Sequence, residues 1–172
     1  MDTGRHTDND HTETQTLVVD FHFECTCERD GVADATGYVF ANGAYLLSSL
    51  SSLCETTGKA RAALDCWIAI AQPGNVSVSS PLSSHRLDES ASKYGYGNSS
   101  GQSKTGPYSD TSFLETPDIF VVAGEPIVAT ITVVVTCSSH GIAWGKLDFS
   151  TRPWEINVPG VCITVKRPQP IT

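Results

Sequence analysis

The sequence predicts an all-β protein: a two-sheet antiparallel β-sandwich, jelly-roll or immunoglobulin-like, of about eight or more strands. Three observations predict it. From Pro126 to Cys137, one phase holds Ile127, Ala129, Ile131, Val133, Val135 and Cys137, and the other holds Thr130, Thr132 and Thr136. From Leu17 to Cys27, Leu17, Val19, Phe21, Phe23, Cys25 and Cys27 alternate with Val18, Asp20, His22, Glu24 and Thr26. A period of two carried by β-branched and aromatic residues is that of a strand with one face on a core. Third, turn signals containing Gly, Asn or Pro recur along the chain. Short strands joined this way cover their apolar faces only as two packed sheets or a barrel.

The first fifteen residues are polar and acidic and read as a disordered tail, because Thr, Asp, Asn and His bury too little apolar surface to offset ordering. The domain is expected over 16–166, with a second tail at 167–172. After the strand ending near Cys27, Arg29-Asp30-Gly31 reads as a hairpin turn into Val32–Phe40, and Ala41-Asn42-Gly43 as a turn that closes that strand. Ala44–Cys54 carries both a helical leucine stripe and four serines that disfavour a helix, and is read as a strand with irregular ends. Ala60–Ala71 alternates again, with Leu64, Cys66, Ile68 and Ile70 in one phase, and Pro73-Gly74 ends it before a short strand at Val76 and Val78. Residues 79–117, rich in Ser, Gly, Tyr and Pro, show no period and read as one long loop. Phe113 is expected to anchor the loop's end. Ile119–Val122 is a strand, and Ser138-Ser139-His140-Gly141 is a hairpin turn returning through Ile142–Phe149. Trp154, Ile156 and Val158 alternate, and Val161, Ile163 and Val165 make the last strand.

Composition excludes some functions. With 11 Lys and Arg against 19 Asp and Glu, the net charge is −8 and the pI about 4.9. A nucleic-acid backbone needs clustered cations to displace its counterions, so no nucleic-acid partner is expected. No apolar run approaches the length of a membrane-spanning helix, so no membrane span is expected. The N-terminal stretch has no hydrophobic segment and does not read as a signal peptide. The six cysteines, Cys25, Cys27, Cys54, Cys66, Cys137 and Cys162, are disulfide candidates, and an even count in a Ser/Thr-rich β-domain points to an oxidising, extracellular or cell-surface location.

No catalytic residues emerge. Gly97-Asn98-Ser99-Ser100-Gly101 has the letters of a nucleophile elbow but lacks the strand, helix and histidine partners that make one, and neither His85 nor His140 is placed as its base. His6-Thr7-Asp8-Asn9-Asp10-His11 offers imidazoles and carboxylates with nothing to preorganise them, and the glycine and distal glutamate of a calcium loop are missing. No metal or cofactor is expected. The best ligand-binding candidates are Tyr94, Tyr96, Asn98 and Tyr108, whose Tyr/Ser/Gly/Asn setting has the composition of a recognition loop, together with Trp144. Trp67, Trp144 and Trp154 are alternatively core or inter-sheet packing residues. Two short patterns match: Gly58-x-Ala60-x3-Leu64-Asp65-Cys66 and Gly141-x-Ala143-x3-Leu147-Asp148-Phe149.

Phe120-x2-Ala123-Gly124-Glu125-Pro126, the alternating strand after it, Gly141-x-Ala143-x3-Leu147-Asp148-Phe149 and Pro159-Gly160 together resemble the closing half of secreted bacterial β-sandwich proteins of the exosortase-sorted (PEP-CTERM) type. The resemblance covers the last third of the chain, without the terminal sorting motif and hydrophobic tail of those proteins. It implies an extracellular location and a sandwich fold rather than an activity. The expectation is a non-enzymatic extracellular or cell-surface structural or adhesive module, whose partner is a polysaccharide or a cell-envelope component and whose oligomeric state stays open. The alternatives are a carbohydrate-binding module using exposed Trp or Tyr, and, more remotely, a hydrolase.

Overall fold

The computed structural model describes residues 1–4, 11–49, 58–78, 85–93, 102–149 and 155–167, with 85–93 described by backbone alone. The described residues form twelve strands and no helix. In order these are β1 (Asp2–Thr3), β2 (Thr12–Thr26), β3 (Gly31–Ser49), β4 (Gly58–Gln72), β5 (Asn75–Val78), β6 (His85–Lys93), β7 (Gln102–Glu115), β8 (Ile119–Val121), β9 (Pro126–His140), β10 (Ala143–Asp148), β11 (Glu155–Asn157) and β12 (Val161–Lys166). They make two antiparallel sheets, one of seven strands and one of five. This is the expected β-sandwich.

Setting aside the short β5, β8, β11 and β12, the larger sheet reads β1-β10-β3-β7 and the smaller β2-β9-β4-β6. Consecutive long strands therefore change sheet at nearly every step. That is the strand order of a jelly roll rather than of a sandwich built from consecutive hairpins.

This order corrects two expected hairpins. β2 does not pair with β3, nor β9 with β10. β9 has β2 on one side, from Thr12↔His140 to Thr26↔Pro126, and β4 on the other, from Lys59↔His140 to Ala71↔Val128. Both its edges are full, so the chain beyond it has to leave the sheet. Gly141, at φ 65, makes the corner, and β10 joins β3 across the sandwich. The positive φ that only glycine takes cheaply was expected at Gly141; here it serves a corner between sheets.

β3 runs straight through the expected turn at Ala41-Asn42-Gly43. Gly43 is there because the Phe149 ring lies over it, and a Cβ would run into that ring. One flank of β3 is lined by β7 and then β8, the other by β10, β11 and β12 in turn. Where β7 gives way to β8, Thr116 keeps the ladder closed: its amide donates to the Ala35 carbonyl (3.0 Å) and its Oγ1 accepts from the Ala35 amide (2.9 Å).

The expected loop over 79–117 contains two strands, β6 and β7. On β7, Gly106, Tyr108, Asp110, Ser112 and Leu114 occupy the inward phase. The alternation is real but is carried mostly by small and polar residues, so no hydrophobic period marks it. Strands also fall within the expected N-terminal tail. β1 pairs with β10, and Thr3 is fully buried with its Oγ1 accepting from the Gly145 amide (2.8 Å) and donating to the Gly145 carbonyl (3.3 Å). β2 begins at Thr12, within the expected tail.

The core lies between the sheets and divides labour by size. β3 contributes Ala33, Ala35, Gly37, Val39 and Ala41, while β4 and β9 contribute Leu64, Ile68, Ile70, Ile127, Ile131, Val133 and Val135. The small residues on this stretch of β3 leave room for the branched residues of β4 and β9, while Leu47, Leu114 and Leu147 fill other inward positions of the larger sheet.

Candidate functional site

The outward phase of β3 holds Thr36, Tyr38, Phe40 and Asn42, opposite in phase to the buried Ala35, Val39 and Ala41. Antiparallel register sets Phe113 of β7 directly against Tyr38, and Thr111 against Phe40. Three aromatic rings therefore meet on the solvent side of the larger sheet. Tyr38 is 47% exposed, Phe40 37% and Phe113 50%. The Tyr38 and Phe113 centroids lie 5.2 Å apart at 54°, and those of Tyr38 and Phe40 lie 6.3 Å apart at 19°, so the last two rings are nearly parallel. Aromatic pairs at such spacings attract one another beyond their burial, which holds the rings together as one surface. Phe113 faces solvent and does not anchor a loop, as the sequence had suggested.

Further along the same face, Val32 is opposite Phe120, which is 71% exposed, and Asp34 intervenes between Val32 and the aromatic group. Asp34 is buried although it faces outward, because Lys166 lies over it as an ion pair; Lys166 also reaches Asp118 at 3.6 Å. The hydrogen bond to Asp34 is the main reason the Lys166 ammonium is held above its ordinary 10.5, with the charges of Asp34 and Asp118 adding and partial burial opposing. A cation whose folded pKa is raised gives stability that is whole below its unfolded pKa and is lost as pH climbs through the folded one. Thermal melts above pH 10.5 should therefore show a steeper alkaline fall in Tm for the wild type than for Lys166→Met.

The sequence-derived candidates scatter. Tyr94, Tyr96 and Asn98 lie outside the described residues, as do Ser99, Trp154, Cys54 and the His6–Asp10 part of the N-terminal cluster. Tyr108 points inward and packs edge-on against Phe149 (6.2 Å, 86°), so it is a core-edge residue rather than part of a binding loop. Trp144 is half-buried on the outer face of the larger sheet, opposite Ser48, and Trp67 is half-buried on the outer face of the smaller sheet, opposite Thr132. The structure brings none of these together. His140 accepts or donates at Thr12 Oγ1 (2.7 Å).

Among the described residues there is no disulfide; Cys54 lies outside them. Cys25, Cys27, Cys66, Cys137 and Cys162 are all free thiols. Cys66 and Cys137 are both buried on neighbouring strands, but Cys66 is opposite Val133 and Cys137 opposite Ala62. Four positions of slip put them roughly 13 Å apart, beyond the Cα spacing a disulfide spans. Burial raises the Cys137 thiol above its ordinary value, as suits a packed, unreactive core residue.

The aromatic group was within reach of the sequence. Tyr38 and Phe40 both fall on the phase opposite Ala35, Gly37 and Val39 within the expected strand. Phe113 needed the unseen strand β7.

No protein-family model matches this sequence, and no curated protein matches it. Among solved structures it is similar to chains of "Structure of infectious bursal disease virus Gx strain" and "Structure of infectious bursal disease virus Gt strain", at 10% identity in both and TM-scores of 0.16 and 0.15. These matches cover 81% and 82% of this chain, which spans about two-fifths of theirs (40% and 41%). Likeness at this level carries no conclusion about the chain.

Proposed function

We propose that this chain is a non-enzymatic, extracellular or cell-surface structural module that works by contact across its outer aromatic face, with a cell-envelope component as partner. The observation that carries the reading is the Tyr38–Phe40–Phe113 group. A sheet face turned to water is ordinarily polar, and contiguous exposed apolar rings rimmed by Thr36, Thr111 and Asn42 have the make-up of a contact surface. The resemblance of the last third of the chain to exosortase-sorted sandwich proteins supports the location. The test is retention on envelope preparations. The wild-type chain should bind, and Tyr38→Ser/Phe40→Ser/Phe113→Ser should bind at least tenfold more weakly with little change in Tm, because these rings lie outside the core. A non-adherent wild-type protein, or equal retention of the triple variant, overturns the reading.

A second reading, carbohydrate binding through the same rings, is favoured by one feature. The near-parallel Tyr38 and Phe40 rings offer a broad apolar surface for the C–H face of a sugar, and Tyr38 adds a hydroxyl. A Tm shift with a soluble polysaccharide, abolished by Tyr38→Ser, would select it over the first; silence across a broad glycan panel would remove it.

A further inference from the structure

We propose that two copies of this chain join through β2, edge to edge and antiparallel, to make one continuous sheet across a two-fold axis at Phe21. β2 ends the smaller sheet, and among the described residues no strand pairs with its outer edge. A long open edge is a template for another strand. Its first residues are engaged, since Glu13 accepts from the Gly4 amide and Gln15 exchanges hydrogen bonds with Asp2, whereas Thr16–Thr26 has only β9 beside it.

The inner side of this segment is poorly covered in one copy. Leu17 is 49% exposed, no residue of β2 is fully buried, and an apolar cleft of about 280 Å³ opens beneath the edge, bounded by Leu17, Val19, Phe21, Leu147, Phe149 and Ile156. A second copy is the occupant because one register lets β2 oppose itself over the whole free segment Thr16–Thr26 with opposite-charge partners at its centre. Residues directly opposite in an antiparallel pair share a face, so a two-fold axis must pass through a residue. Through Phe21 it sets Asp20 of each copy against His22 of the other, twice, and on the inner face sets Val19 against Phe23, Leu17 against Cys25 and Phe21 against itself. Through Asp20 it opposes Asp20 to Asp20; through His22 it opposes Asp20 to Glu24. Through Val19 it sets Gln15 against Phe23 and Glu13 against Cys25. Through Phe23 it sets His22 against Glu24 but pairs only 20–26 and leaves Leu17 and Val19 uncovered. Like charges directly opposite, or polar against apolar on the inner face, work against the other registers; in the Phe21 register the one mixed pair, Val18 with Glu24, lies on the wet side. On the solvent side Asp20 accepts from Thr132 Oγ1 (2.6 Å) and His22 Nδ1 bonds to Thr130 Oγ1 (3.0 Å), both on β9, so pairing across the open edge uses their remaining polar atoms.

The test uses the whole chain. Sedimentation should show a dimer. His22→Asp, which puts Asp against Asp twice, should weaken it roughly tenfold, and the swap Asp20→His/His22→Asp should restore it. For register, Leu17→Cys in a Cys54→Ser/Cys162→Ser background is incubated in a glutathione redox buffer. Mild alkalinity is needed because partial burial, Cys27 and Glu24 hold the Cys25 thiol above its ordinary value. A cross-linked dimer lost with Cys25→Ser, and not formed by Glu13→Cys, is the expected result. A monomer throughout, an edge that takes up only an unrelated extended peptide, or a dimer without the Leu17→Cys cross-link overturns the proposal. It rests on the reading of a structural module. Loss of envelope retention in the aromatic-face variant, with no cross-link at the edge, would sink the edge and leave that reading standing.

Discussion

Cutting Ile131 back to alanine is expected to lower the unfolding free energy by about 3–5 kcal/mol, the upper range for truncation of a buried branched residue. Ile131 is fully buried at the middle of β9, in a row with Phe21 of β2 and Ile68 of β4, so both neighbouring strands hold the site open and prevent collapse. Its Cδ1 also reaches the other sheet, where a Cβ built on Gly37 of β3 would lie 2.7 Å from it. This contact fixes how closely the sheets approach. Gly37→Ala should therefore destabilise by about 1–3 kcal/mol through overpacking. Ile131→Val, which removes the clashing methyl, should cost less in the Gly37→Ala background than in wild type. Urea unfolding of the four proteins in that cycle measures the coupling; additive costs would mean that the sheets do not meet there.

Replacing Gln72 with leucine should cost about 2–4 kcal/mol, because it strands backbone polar groups rather than removing contact area. Gln72, the last residue of β4, is buried, and its side chain reaches the chain between β8 and β9. Its Oε1 accepts from the Val122 amide at 2.6 Å, and its Nε2 donates to the carbonyls of Val122 (3.0 Å) and Glu125 (3.2 Å). Leucine fills a similar volume but offers none of these partners. Val122 keeps a weak bond to its carbonyl from Cys27 Sγ (3.4 Å), so the amide and the Glu125 carbonyl carry most of the loss. Gln72→Glu restores the acceptor, loses both donors and aims charge at two carbonyls. It should do no better than leucine in the same urea assay.

The strands that carry the core were legible because their alternation is written in branched residues. Ile127–Cys137 and Leu64–Ile70 are inward as read, and Leu17–Phe23 faces the cleft. Their partners were not legible. A turn signal such as Arg29-Asp30-Gly31 or His140-Gly141 says that the chain reverses, and says nothing of whether it returns beside itself or crosses to the opposite sheet. That choice depends on which edges are occupied, and β9 is closed on both sides only by β2 and β4, segments distant in sequence. β7 was missed because Gly106, Asp110 and Ser112 hold inward positions that hydrophobic periodicity would give to valine or isoleucine. Beside it, Ala44 and Tyr45 of β3 supply the pairing. An even count of cysteines is silent on register, and register keeps Cys66 from Cys137. The aromatic face went unread because Phe113 sits on β7, which carries no hydrophobic period, so Tyr38 and Phe40 had no visible partner.

Successive long strands change sheet at nearly every step, so that β9 is flanked by β2 and β4 and not by the segment that follows it. Backbone NMR contacts of Thr132 test this directly. The account predicts cross-strand contacts from Thr132 to Asp20 and to Trp67. A backbone ladder pairing 130–137 with 143–149, the pattern of a hairpin closing at Gly141, would contradict it.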